Sequence, residues 1–293
     1  MPYDHANLLP AARAALAALV CSAALAGCGA ASEAAQGSRG PGAAATPSAT
    51  ATRTPSATAT PPADRPLAGR TVVVDPGHNP GNFRHTREIN EKVDIGTARK
   101  ECDTTGTATD ATGGAAPYTE AAFTLDVSHR LRDLLEARGA TVVLTHDADR
   151  PYGPCIDERA RIGNAAKADA VVSVHADGSA KGNRGFHVIV PAKVKEGAAD
   201  TGPIVAPSRA LGERIVAGFR RATGTSPANY LGGGTGLDVR SDLGGLNLST
   251  APKVFVECGN MRDPKDAALL TSGAWRQKAA RGIADGIVTY LQG

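Results

Sequence analysis

An α/β domain is what the chain predicts over residues 67–293: a single domain built on a mostly parallel, twisted sheet of about six strands, with helices on both faces. Three observations carry that expectation. Short β-branched runs alternate with amphipathic helical stretches, an order that builds parallel sheets covered by helices. From Gly29 to Pro66 there is no Val, Ile, Leu, Met, Phe, Tyr or Trp. Such a stretch cannot bury enough apolar surface to offset its ordering entropy, so the folding unit starts after it. What remains is the size of one ordinary domain.

The elements follow in order. Thr71–Asp75 is a β-branched run stopped by Pro76-Gly77, hence a buried strand. Residues 79–117 are polar and Gly-rich without clear periodicity, and a loop that long is usually functional or mobile. From Thr119 a helical face forms from Phe123, Val127, Leu131, Leu134 and Leu135, with Gly139 as its stop. Thr141–Thr145 reads as a strand, Asp157–Lys167 as a helix and Ala170–His175 as a buried strand. Gly185–Val190, Ser208–Ala222, Lys253–Glu257 and Ala274–Leu291 continue as strand, helix, strand and helix.

The N-terminal part reads differently. Ala14–Ala26 is an apolar run too short to span a bilayer, and it fits the hydrophobic region of a signal peptide. It ends in Leu25-Ala26-Gly27-Cys28, the pattern of a lipobox, in which the cysteine is lipidated and attaches the chain to a membrane. A plain secretory signal with a chance cysteine is the alternative; either leads out of the cytoplasm. Residues 1–27 are thus read as a lipoprotein signal and 28–66 as a disordered stalk rich in Ala, Thr, Pro and Ser. The stalk contains the tandem repeat Thr46–Arg53 and Thr54–Pro61. The net charge of +3 is mild. No arginine-rich run or aromatic-interleaved basic patch accompanies it, so no nucleic-acid partner is expected.

In parallel sheets, functional groups gather beyond the carboxyl ends of strands. That rule singles out His78, His175 and Glu257. Glu120 joins them in the first turn of a helix, where the dipole favours a carboxylate. His85, His129, His146 and His187 read as capping or core residues. Around the four selected positions stand Val-Asp75-Pro-Gly-His78, Glu120 opening its helix, Ser173-Val-His175-Ala-Asp177, and Val-Phe-Val-Glu257-Cys-Gly259.

This ordered series resembles the zinc-dependent N-acetylmuramoyl-L-alanine amidases that act on bacterial cell walls. The resemblance runs from about Arg70 to Tyr290 and includes the stretch from Glu158-Arg159 through Asn164 to Ala168-Asp169. It implies that His78, Glu120 and His175 bind one Zn²⁺ and that Glu257 is the catalytic carboxylate. Two imidazoles and a carboxylate leave zinc a position for water, whose proton a second carboxylate can take and return to the departing amine. The Gly-rich Leu231–Leu248 segment, with Arg240 and Asn247, is similar to actinobacterial members that have a minimal catalytic domain. Arg240 and Asn247 are weak candidates for substrate contact. Asp75 either supports a ligand histidine or caps the Pro76-Gly77 turn. The chain departs from the common pattern at His175-Ala-Asp177, where many members have His-x-Asn, and at Gly259-Asn-Met-Arg262.

Of five cysteines, Cys21 leaves with the signal and Cys258 reads as a small buried residue. Cys102 and Cys155 lie in loops of an exported domain, where a disulfide is expected, worth on the order of 4 kcal/mol. Zinc ligation by these thiols lacks a close Cys-x-x-Cys spacing. The expected partner is peptidoglycan, met by a lipid-anchored monomer in the cell envelope. The alternatives are another zinc hydrolase on wall material, such as a deacetylase or stem-peptide peptidase, and a non-catalytic peptidoglycan-binding envelope lipoprotein. The segment 79–117 either covers the cleft at rest or forms a wall for substrate.

Overall fold

The computed structural model describes residues 65–111 and 116–293. The segment read as a signal peptide (1–27, with Cys21), Cys28 and the segment read as a stalk, as far as residue 64, lie outside the described residues.

The chain opens on strand β1 (Thr71–Pro76), followed by a 3₁₀ turn at Asn82–Arg84, the short helix α1 (Thr86–Ile89) and a hairpin of β2 (Lys92–Asp94) and β3 (Arg99–Glu101). The segment read as a loop therefore carries local structure. Its elements are too short to show a period in sequence. Next come α2 (Glu120–Glu136), β4 (Thr141–Leu144), α3 (Ile156–Ala165), β5 (Ala170–Asp177) and β6 (His187–Pro191). A second hairpin, β7 (Lys195–Glu196) and β8 (Ala199–Asp200), precedes α4 (Val205–Thr223). The last part holds β9 (Leu237–Arg240), α5 (Gly244–Asn247), β10 (Lys253–Asn260), α6 (Pro264–Leu270) and α7 (Gly273–Leu291). The Gly-rich 231–248 segment thus supplies a strand and a helical turn that its composition conceals.

Six strands form the main sheet in the order β4-β1-β5-β10-β6-β9. Every junction is parallel except β10–β6. The reason lies in the connection before β6: residues 178–186 are too few for a crossover, so β6 enters in the opposite direction.

Strand side chains alternate between faces, and here the two faces differ in kind. Val72, Val74, Val172, Val174, Val254 and Val256 belong to one large core with Phe123 and Leu131 of α2, Ile215 and Phe219 of α4, and Ile283 and Ile287 of α7. Helices α4 and α7 meet almost backbone to backbone, since a Cβ on Gly218 would lie 2.4 Å from the Gly282 carbonyl oxygen. The opposite face begins with a small cluster of Val73, Val171, Ala168 and Ala251 near α3. Towards the strand ends it turns polar, and the remaining contacts converge there.

Candidate metal centre

Three strand ends and one helix N-terminus build the site. Register sets Asp75 beside Ser173 and Glu257 beside His175, so these side chains share the polar face. Beyond β1 the chain turns at Gly77 and His78. A Cβ on Gly77 would lie 2.4–2.7 Å from the His175 ring, so only glycine lets the turn pass. His78 itself has φ 61°, in the left-handed region that few residues with a side chain occupy. Glu120 opens α2 because the Thr119 hydroxyl caps the helix, accepting from the Ala122 N–H.

The two histidines converge on one carboxylate. His78 Nε2 lies 3.2 Å from Glu120 Oε2, and His175 Nδ1 lies 3.0 Å from Oε1. The N–H groups of Thr107 and Ala176 donate to the same carboxylate at 2.9 and 3.2 Å. One ligand atom from each of His78, Glu120 and His175 falls within 4.8 Å of the others. The other ring nitrogen of His78, Nδ1, donates to the Thr104 carbonyl at 3.1 Å and lies 3.4 Å from Asp103 Oδ1. The His175 ring stacks on Phe255 at 5.2 Å between centroids.

Electrostatics favour a cation at this point. Burial alone would depress His78, but the Glu120 and Asp103 carboxylates outweigh it and raise its pKa to about 10. Burial alone would raise Glu120, yet His78 and His175 hold it well below the usual carboxylate range. The carboxylates that hold a proton there also attract a metal cation. Two imidazoles and a carboxylate are also a donor set that divalent metals accept.

Glu257 stands apart from this set. Its Oε2 is buried without a hydrogen-bond partner. Burial pushes its carboxyl well above the ordinary range, helped by the negative charges of Glu120 and Asp177. Beside the histidines opens a cavity of about 260 Å³, lined by Lys100, Glu101, Asp103 and Thr104 on one side and by Asp242, Leu243, Gly244 and Gly245 on the other. Residues 100–104 of the segment read as a loop therefore form a wall of the cavity.

Other sequence expectations are corrected. Among the described residues Asp75 makes no hydrogen bond or ion pair with a histidine and accepts none from the Pro76-Gly77 turn. It accepts from Arg159 at 2.7 Å, from Lys253 at 3.3 Å, and from the Thr145 and Ser173 hydroxyls at 2.6 and 2.5 Å. Burial alone would raise this carboxyl; Lys253, Arg159 and the two hydroxyls hold it well below its usual value. Arg240 does not line the cavity itself but pairs with the lining residue Asp242, with bonds of 2.7 and 2.8 Å, and its charge acts on Glu257. Asn247 donates to the Ser241 carbonyl and to Thr97, fastening the loop from inside rather than facing the cavity.

Cys102 and Cys155 form the expected disulfide, and Cys258 is free and buried. His146 and His187 are buried, as expected of core residues, whereas His129 pairs with Asp147 at the surface.

The sequence pattern gives Asp103 and Lys253 no place in the site, and marks Arg159 only as part of the stretch that carries the resemblance. For Lys253 a signal existed: two-residue alternation back from Glu257 puts Phe255 and Lys253 on the same face. For Asp103 the only local hint was its neighbour Cys102.

Comparison with known proteins agrees with this geometry. Residues 72–289 match the family described as N-acetylmuramoyl-L-alanine amidase. The chain is 40% identical over 226 residues to the N-acetylmuramoyl-L-alanine amidase Rv3717 of Mycobacterium tuberculosis, covering 77% of this chain and 88% of that protein. The crystal structure of the N-acetylmuramyl-L-alanine amidase Ami1 from Mycobacterium smegmatis superposes with a TM-score of 0.68 at 39% identity, over 77% of this chain and 98% of that one. Ami1 from Mycobacterium abscessus does so at 41% identity with a TM-score of 0.68, over 77% and 100%. The matched region takes in all six strands of the sheet but for the first residue of β1, together with all four candidate residues, and on that ground the chain belongs to the N-acetylmuramoyl-L-alanine amidase family, hydrolases of peptidoglycan amide bonds.

Proposed function

We propose that the chain hydrolyses the amide between the lactyl group of N-acetylmuramic acid and the L-alanine of the stem peptide, with one zinc ion held by His78, Glu120 and His175. The observation that carries this reading is the convergence of His78 Nε2 and His175 Nδ1 on one carboxylate, next to a second, unpartnered carboxylate at Glu257. Zinc, when bound, supplies the Lewis acidity that makes water a nucleophile at neutral pH and polarises the scissile carbonyl.

The protein's own groups do the rest. Glu257 accepts the proton of the attacking water and returns it to the departing L-alanine amine. Its raised pKa suits both tasks, since a carboxyl closer to neutrality gives a proton up as readily as it takes one. The walls around Lys100 and Asp242 confine the substrate strand beside the ligands. Outside the folded domain, Cys28 carries lipid and residues 28–66 tether the domain to the membrane.

Elemental analysis of purified protein together with mass spectrometry of digested peptidoglycan tests the reading. One zinc per chain and stem peptides bearing a free L-alanine amine support it; release of acetate instead identifies a deacetylase. Cys28→Ser moves the protein from the membrane fraction to the soluble one if the anchor is as proposed.

A further inference from the structure

Arg159 lies on α3, where Arg161 two residues away faces solvent. Its own side chain is buried, and all five of its N–H donors are engaged. Nε donates to the Pro154 carbonyl at 2.8 Å, and Nη1 to Asp75 at 2.7 Å and the Pro76 carbonyl at 2.5 Å. Nη2 donates to the His78 carbonyl and to Asp103 Oδ2, both at 3.0 Å. Two of these acceptors are carbonyls of the turn that carries His78, and another is the carboxylate facing its ring.

That turn needs support. His78 sits at φ 61°, a conformation that persists only where surrounding contacts over-determine it. The Arg159 bond to the His78 carbonyl fixes the backbone. Asp103 carries the constraint to the ring, with Oδ1 3.4 Å from Nδ1. Asn82 donates to both Asp103 and the Thr104 carbonyl, at 3.0 and 2.7 Å, holding the acceptors that orient Nδ1. The Cys102–Cys155 disulfide ties the residue before Asp103 to the first residue ahead of α3. A guanidinium this close to a cation site would ordinarily oppose metal binding. Here the charges of Arg159 and Lys253 are matched by those of Asp75 and Asp103, so the cluster adds geometry without net charge.

We infer that Arg159 is a positioning residue for the metal site, locking the His78 backbone directly and its ring through Asp103 so that Nε2 faces Glu120. The inference rests on the proposed role of His78 as a metal ligand. Only arginine offers this fork; lysine supplies the charge but not the five directed donors.

The test measures zinc affinity of the full-length protein by competition with a chromophoric chelator, and the visible spectrum after cobalt substitution. Arg159→Lys and Asp103→Asn are compared with the wild type, and Arg161→Ala serves as the control. Zinc binding weakened about 10- to 100-fold in both variants, with a changed cobalt spectrum and an unchanged control, is the expected result. Unaltered affinity and spectrum alongside a lower melting temperature would mean a purely structural role and overturn the inference. An unfolded Arg159→Lys leaves Asp103→Asn to decide on the same two readouts. If His78→Ala binds zinc as tightly as the wild type, the ligand assignment itself fails and takes this inference with it.

Discussion

On one face of the sheet Val72, Val74, Val172, Val174, Val254 and Val256 lie fully buried beneath α2, α4 and α7. On the other, one residue along the same strands, stand Asp75, Ser173, His175, Lys253, Phe255 and Glu257. The first face is stable because apolar area leaves water, at roughly 25 cal/mol per Å², and each contact is replaceable by a neighbour of similar size. The second holds because its supporting charges are paired, Asp75 with Arg159 and Lys253 and Asp103 with Arg159, while Glu257 stands without a partner. Such a network is no stronger than packed valines would be, yet removing one member costs more than removing the whole. The difference teaches where chemistry is affordable: aliphatic packing supplies stability, and the polar face holds groups whose charges function uses.

Substitutions at neighbouring positions sharpen that contrast. The largest effect is expected for Glu257→Gln, which should lower kcat by roughly 10²- to 10⁴-fold while leaving zinc content and melting temperature intact. A variant that keeps wild-type turnover would break the link between the unpartnered carboxylate and the reaction. Asp75→Asn comes next. It leaves Arg159 and Lys253 without their shared counter-charge, at a cost of roughly 3–5 kcal/mol in chemical denaturation.

The same substitution should change the pH profile of stability. The Asp75 carboxyl is held below its ordinary value of 3.8, so its contribution is complete above that pH and is lost as the pH falls below it. Asp75→Asn should therefore flatten the acid limb of the stability profile, and an unchanged limb would assign acid lability to other groups.

Val256→Ala, one residue from Glu257 but on the opposite face, should cost about 2 kcal/mol. Its kcat per folded molecule should match the wild type; a large loss would show that the two faces are coupled. Smallest of all is Lys100→Ala. Lys100 lines the cavity and pairs with Asp242 at 3.2 Å, but both side chains are more than a third exposed. Its removal should change stability by under about 0.5 kcal/mol. A larger effect would extend the cooperative network out to the cavity rim.

Much of the sheet was legible because its strands are short β-branched runs and its long helices carry apolar faces. Thr71–Asp75, Ala170–His175 and Lys253–Glu257 fall within the observed strands β1, β5 and β10. The 79–117 and 231–248 segments were opaque. Among their described residues, order comes from the disulfide, from Asn82 and Asn247 bonding to backbone carbonyls, and from contacts distant in sequence. Among the described residues, α6 is a further helix that periodicity did not reveal, its seven residues making under two turns.

By itself, then, the sequence determined the alternation of strands and helices, the four residues at the mouth of the sheet, and their order along the chain. Those follow from local pattern, because strand, turn and cap chemistry act over a few residues. Only the tertiary structure decided that Asp75 faces Arg159 and Lys253 rather than a histidine, and that Asp103 is a second carboxylate beside His78, on its Nδ1 side. It also decided that Arg240 pairs with Asp242 and that Asn247 holds the Ser241 carbonyl. The physical reason is that a buried charge is tolerable only with a partner, and the partner's distance along the chain (84 residues from Asp75 to Arg159, 178 to Lys253) leaves no trace in any local window.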